Sequence, residues 1–101
     1  MSVEADLATI RAALRSFGQD SAELTLISDG RVNEHWTVTL PGEKSLVLRR
    51  YVATRSTGAI KYEHAALAYA HSKGWPVAAP LANANGDAIV EVEGERFSLF
   101  P

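Results

Sequence analysis

The first hydrophobic pattern in the chain is that of an amphipathic helix. Its apolar positions alternate in steps of three and four, and they are Val3, Leu7, Ile10, Leu14 and Phe17. Gly18 follows directly and suits the left-handed residue that often ends a helix. We therefore predict a helix over residues 3–17 that packs its apolar face on another layer of structure.

From residue 23 onward the pattern changes to the two-residue alternation of β-strands. Strands are predicted at residues 24–27, 36–40 and 45–52, with turns at 28–33 and 41–44. Connections this short join strands that run antiparallel, so the three strands are expected to form a meander.

The third predicted strand carries two adjacent arginines, which alternation places on opposite faces of the sheet. The two faces are Val47, Arg49 and Tyr51 on one side and Leu46, Leu48, Arg50 and Val52 on the other. Because Arg49 shares its face with apolar neighbours, we expect it to need an anionic partner. Arg50 is expected to reach solvent.

A second helix is predicted from the hydroxyl residues at 54–57 to Ser72. One face of this helix is formed by Ile60, Glu63, Leu67 and Ala70. A carboxylate in the middle of an apolar face is costly unless it is paired. We expect Glu63 to pair with Arg49 on the preceding strand; the alternative is that Glu63 reaches water at the edge of the helix.

The last part of the chain is predicted to complete the sheet. Two prolines favour an extended connection at 75–80, followed by a short strand at 81–82 and a turn at 83–87. Strands at 88–92 and 96–100 are joined by a turn at 93–95. The prediction is one domain, residues 1–101, of α+β class: a five-stranded antiparallel sheet with an N-terminal helix and a second helix inserted after the third strand.

Composition excludes several classes of function. The 101 residues have a formal net charge of −2, which provides no basic field for a nucleic-acid partner. There is no cysteine, so disulfides, thiolate catalysis and cysteine-bound metals are excluded. No apolar run approaches the ~20 residues of a membrane span, and the N-terminus does not resemble a signal peptide. We therefore expect a cytoplasmic protein without a membrane partner.

Histidine and tryptophan are the other residues with a candidate role. His64 and His71 lie seven positions apart on the predicted helix, about 10 Å along its axis, too far apart to share a metal ion. We expect these two and His35 at the surface or on the flank of a helix. Trp36 and Trp75 are expected in the core or at its boundary rather than as platforms for stacking bases.

The order of these elements and four short motifs resemble the N-terminal lobe of the aminoglycoside phosphotransferase and choline kinase-like enzymes, which have the protein-kinase-like fold. The motifs are the turn Ser28-Asp29-Gly30-Arg31-Val32-Asn33, the strand Leu46-Val47-Leu48-Arg49, the helix residue Glu63, and the connection Gly74-Trp75-Pro76-Val77-Ala78-Ala79-Pro80-Leu81. The turn is similar to the Gly-x-x-Asn form of this family's phosphate-covering loop. Arg49 stands where most kinases have lysine.

The resemblance implies transfer of the γ-phosphate of ATP or GTP, with Mg²⁺, to a hydroxyl group of a small molecule. It implies that the turn with Gly30 and Asn33 covers the phosphates and that Arg49, held by Glu63, orients them. Val47 would cover the base. By the same resemblance, Phe100 would lie at the back of the base pocket.

The family's catalytic loop, His-Gly-Asp followed by Asn, and its later metal-binding Asp are absent from the 101 residues. The resemblance therefore implies no catalytic residue and no metal ligand in this chain, which would be inactive alone and bind no nucleotide tightly. Its partners would be a missing C-terminal lobe of the same polypeptide, the nucleotide and a small-molecule alcohol acceptor. The fragment is also expected to self-associate. The alternative is a stand-alone, non-catalytic binding module that uses the antiparallel sheet.

Overall fold

The computed structural model of the chain describes residues 3–19, 23–28, 33–40, 42 and 44–101. In chain order the elements are α1 (Val3–Ser16), β1 (Glu23–Ser28), β2 (Asn33–Thr39), β3 (Ser45–Tyr51), α2 (Thr57–Ser72), β4 (Val90–Val92) and β5 (Glu95–Phe100). The α+β fold predicted from the sequence is confirmed, including the helix inserted after the third strand.

The five strands form one sheet in the order β1-β2-β3-β5-β4, and neighbouring strands are antiparallel. Strand β2 begins at Asn33, earlier than predicted, because the polar residues there continue the ladder with β3. Glu34 lies opposite Arg50, and His35 lies opposite Arg49. These polar pairs extend the strand at its beginning, and the hydrophobic pattern does not reveal this extension.

The C-terminal hairpin is shorter than predicted, since β4 spans only Val90–Val92. It turns at Glu93 and Gly94, whose φ angles of 53° and 78° are both positive, as in the two-residue turns whose twist suits a β-hairpin. The short strand predicted at 81–82 is a single bridge, in which Leu81 pairs with Leu99.

The main hydrophobic core lies between α1 and one face of the sheet, called here the outer face. It consists of Ile10, Ala13, Leu14, Trp36, Val38, Leu46, Leu48, Phe97 and Leu99. Trp36 is buried as predicted, but Trp75 is 60% exposed. Trp75 belongs to the turn that ends α2, where its backbone N–H donates to Ala70 O at 3.1 Å, and this turn keeps the indole away from the core.

Helix α2 packs on the opposite face of the sheet, called here the inner face, whose β3 residues are Val47, Arg49 and Tyr51. The helix begins after Ser56, whose Oγ accepts a hydrogen bond from Ala59 N at 3.0 Å. Ile60 and Ala70 are buried residues of this helix. Neither helix in the described part of the chain has the length and apolarity needed to cross a bilayer.

Candidate functional site

Arg49 lies on the inner face, where three side chains fix its guanidinium group. Nη1 donates to Glu63 Oε1 at 2.6 Å, and Nε donates to His35 Nε2 at 3.1 Å. The ring of Phe100 lies 4.6 Å from the guanidinium carbon, within the range of a cation–π contact. The pairing of Arg49 with Glu63 expected from the sequence is therefore present, with 23% and 27% of the two side chains exposed.

His35 was expected at the surface or on the flank of a helix, but it lies half-buried on β2, directly opposite Arg49. Burial lowers the pKa of His35, and the positive charge of Arg49 lowers it further. The imidazole is therefore neutral near physiological pH, and its Nε2 can accept a hydrogen bond from Arg49. The sequence signal that could have found this contact is the antiparallel register of β2 and β3, which was missed at His35 because the predicted second strand began at residue 36.

Glu63 is shared between two arginines, of which only Arg49 is predicted from the sequence. Its Oε2 accepts a hydrogen bond from Arg55 Nη2 at 2.7 Å. Arg55 lies in the connection between β3 and α2, where an arginine is usually solvated, so its side chain gave no signal in the hydrophobic pattern. One carboxylate therefore holds Arg49 and Arg55 in place.

A pocket of about 380 Å³ opens beside Arg49 on the inner face. It is lined by Val47, Arg49, Leu67, Val77, Ala78, Phe100 and Pro101. Three of the predicted site residues, Val47, Arg49 and Phe100, therefore meet in one largely apolar pocket. A larger pocket of about 490 Å³ elsewhere contains none of the predicted site residues; Lys61, Asp87 and Arg96 are among the residues that line it.

The remaining predicted site residues are Gly30 and Asn33. Gly30 lies outside the residues that the structure describes, and Asn33 is described only in its backbone, at the beginning of β2. Within the described ranges, no group of three or more histidine, aspartate or glutamate side chains could hold a metal ion. The described part of the inner face thus offers cations and apolar surface.

Arg50 was expected to reach solvent, and this prediction was wrong: the residue is 9% exposed on the outer face. Its guanidinium pairs with Asp6, Glu34 and Glu95 and lies 5.1 Å from the ring of Trp36. Burial alone would lower the pKa of Arg50, but hydrogen bonds to Asp6 and Glu34 and the charges of Glu34 and Glu95 raise it above its ordinary value. The three acids belong to α1, β2 and β5, which the pattern of one strand cannot reveal.

His64 was also expected at the surface or on the flank of a helix, and it is instead buried between α2 and the sheet. Its Nε2 lies 2.8 Å from Tyr51 Oη and 3.2 Å from Ser98 Oγ. Burial lowers the pKa of His64, an effect that the charge of Glu63 opposes and that of Arg49 reinforces. The hydroxyl partners come from β3 and β5, so helix periodicity alone does not predict a buried histidine here.

Because His64 is buried and neutral, we expect the free energy of unfolding to decrease at acidic pH. Because its folded-state pKa lies below the ordinary value of 6.5, the unfolded chain binds the proton more readily. This contribution to stability is complete above pH 6.5 and is lost as the pH falls towards the folded-state pKa. In thermal melts between about pH 5 and pH 8, we expect His64→Gln to lose less stability at low pH than the wild type.

His35 is the matched reference for this measurement. Its pKa is lowered in the same direction, and it is present in both the wild type and His64→Gln. The difference between the two pH profiles therefore isolates His64. Parallel profiles for the two proteins would contradict the buried neutral state.

Most of the chain matches the model of one protein family. The model of the family described as "Phosphotransferase enzyme family" covers residues 23–101. No curated protein matches the chain. The matched range includes every strand of the sheet and α2, and therefore all the residues of the inner-face site. The match confirms the resemblance inferred from the motifs.

Proposed function

The chain belongs to the phosphotransferase enzyme family, and on this premise we propose that it is the nucleotide-binding lobe of an enzyme that moves the γ-phosphate of ATP or GTP to a hydroxyl group of a small molecule. Phosphoryl transfer requires little covalent chemistry from the protein, because positioning and charge neutralisation supply most of the catalysis. A lobe that serves this reaction must combine apolar surface for a base with fixed cations for phosphates.

One observation carries the proposal: Arg49 borders an apolar pocket, and neighbouring side chains fix its guanidinium group there. Glu63 Oε1 at 2.6 Å and His35 Nε2 at 3.1 Å hold its guanidinium group. A cation that is already positioned loses little conformational freedom on binding, which favours affinity for an anion. The planar guanidinium group can also donate to two phosphate oxygens at once.

In the proposed complex Val47 and Phe100 contact the base, and Arg49 contacts the α- and β-phosphates. Residues two positions apart on one face of a strand are separated by about 7 Å, a span suited to the distance from a base to the first phosphates. For Gly30 and Asn33 the proposal rests on the resemblance, which implies a turn whose backbone N–H groups approach phosphate oxygens.

The catalytic step requires groups that the described part of the inner face does not offer. Among the described residues there is no group of three or more histidine, aspartate or glutamate side chains that could hold a metal ion, and the 101 residues lack the His-Gly-Asp and Asn pattern of the family's catalytic loop. We therefore propose that a second lobe of the same polypeptide supplies the catalytic base, the metal ligands and the pocket for the alcohol acceptor. The 101-residue chain alone would then be inactive.

This proposal predicts that the natural polypeptide is much longer than 101 residues. Immunoblotting of the source cells or intact mass spectrometry measures its length. The longer product is expected to consume ATP or GTP in the presence of an alcohol acceptor, whereas the 101-residue chain is expected not to. A natural product of 101 residues would contradict the proposal and favour the stand-alone binding module.

A further inference from the structure

Arg49, Arg55 and Glu63 form a charged cluster on the inner face, called here the inner-face cluster. It has more positive than negative charge. Glu63 accepts from Arg49 at 2.6 Å and from Arg55 at 2.7 Å, so two cations share one anion and the formal sum is +1. The Arg50 cluster on the outer face differs, because one guanidinium group meets three carboxylates. An additional anion would therefore neutralise the inner-face cluster, but it would add to the negative charge around Arg50.

Arg55 also has a hydrogen-bond donor without an acceptor. Among the residues that the structure describes, its Nε is the buried side-chain polar atom that makes no hydrogen bond. Such a donor is unfavourable, so a rearrangement that brings it an acceptor is favoured. Because 30% of the Arg55 side chain is exposed, a ligand can approach its guanidinium group from solvent.

Arg55 lies in the turn after β3, and Glu63 holds its guanidinium group near that of Arg49. Val47 lines that pocket, Arg49 follows two positions later, and the strand ends at Tyr51. A nucleotide with its base at Val47 and its first phosphates at Arg49 directs the rest of its phosphate chain towards the end of β3. Arg55 follows that end and is linked to Arg49 through Glu63.

We propose that Arg55 is a second phosphate-binding residue, which contacts the outer phosphates of a nucleoside triphosphate while Arg49 contacts the inner ones. The inference rests on the proposed function and deepens it, since it names the residue that distinguishes a triphosphate from a monophosphate. Glu63 then supports both guanidinium groups. The phosphate charge offsets the surplus positive charge, and the oxygens accept charge-assisted hydrogen bonds.

Titrations of the 101-residue chain with AMP, ADP and ATP, followed by NMR so that weak binding is measurable, test this proposal. Arg55→Met is expected to weaken ATP binding by about fivefold, ADP binding by less, and AMP binding not at all. Arg55→Lys is expected to retain most of the ATP affinity. Lys61→Met removes a positive charge from an exposed position of α2 and is expected to bind all three nucleotides like the wild type.

The three nucleotides separate a phosphate contact from a structural role. An equal loss for AMP, ADP and ATP in Arg55→Met would overturn the proposal, as would unchanged ATP binding. Arg49→Met distinguishes this inference from the proposed function. If Arg49→Met weakens ATP binding and Arg55→Met does not, only the inference about Arg55 fails; if neither variant weakens it, the proposed function fails as well.

Discussion

Replacing Arg50 with methionine is expected to lower the free energy of unfolding by about 3 kcal/mol. The Arg50 side chain is 10% exposed and neutralises Asp6, Glu34 and Glu95, which are 33%, 36% and 33% exposed. Without the guanidinium group these three carboxylates lose the cation that they share. Because each carboxylate still reaches water, the loss lies at the lower end of the ~3–5 kcal/mol typical of a broken buried ion pair. Chemical denaturation at neutral pH measures it.

Arg49→Met is the matched control, because it removes the arginine that directly precedes Arg50 on the same strand. On the inner face Glu63 keeps Arg55 as a partner, so the expected loss is about 1 kcal/mol or less. Arg50→Lys is expected to fall between the wild type and Arg50→Met, since one ammonium group cannot reproduce the planar fork of arginine. A larger loss for Arg49→Met than for Arg50→Met would contradict the assignment of Arg50 to the buried network.

Arg49→Met is expected to have its main effect on nucleotide binding rather than on folding. Hydrogen bonds to charged groups contribute about 1.5–3 kcal/mol, so the variant is expected to bind ATP about 10- to 100-fold more weakly than the wild type. Glu63→Gln retains the shape of the side chain but replaces the ion pair with Arg49 by a weaker, neutral hydrogen bond. We expect a smaller loss of ATP affinity for this variant. Calorimetric or NMR titration of the purified variants gives both dissociation constants.

Two further measurements make this result interpretable. Circular dichroism at the titration temperature is expected to show Arg49→Met fully folded, so that a loss of affinity cannot result from unfolding. Lys61→Met carries the same change in net charge and is expected to bind ATP like the wild type. An unchanged ATP affinity in Arg49→Met would remove Arg49 from the nucleotide site.

The fold and the Arg49–Glu63 ion pair of the site were predictable from the sequence, because local patterns determine them. The spacing of Ile10 and Leu14 on α1 and the alternation along β3 gave the two layers of the core. Arg49 and Glu63 each interrupt an apolar pattern, and this shared anomaly identified the pair before its geometry was known. A charge in an apolar pattern is therefore an informative sequence signal, because its partner must lie nearby in space.

The remaining contacts depend on residues that are distant in sequence. Arg50 binds acids 44, 16 and 45 positions away, and no periodicity within β3 indicates them. His64 is buried because Tyr51 and Ser98, on two different strands, provide hydroxyl groups for its imidazole. Arg55 lies in a connection, where side-chain direction has no regular period. Tertiary packing, rather than local propensity, determines each of these three positions.

The central claim is that the inner face of the sheet binds a nucleotide, and a chemical-shift map of the isotope-labelled chain titrated with ATP tests it most directly. We expect the largest shifts at Val47, Arg49 and Phe100 and at their neighbours on β3 and β5, with the core residues of α1 such as Leu14 nearly unchanged. Shifts concentrated on α1 and the outer face, or none at millimolar ATP, would contradict the account.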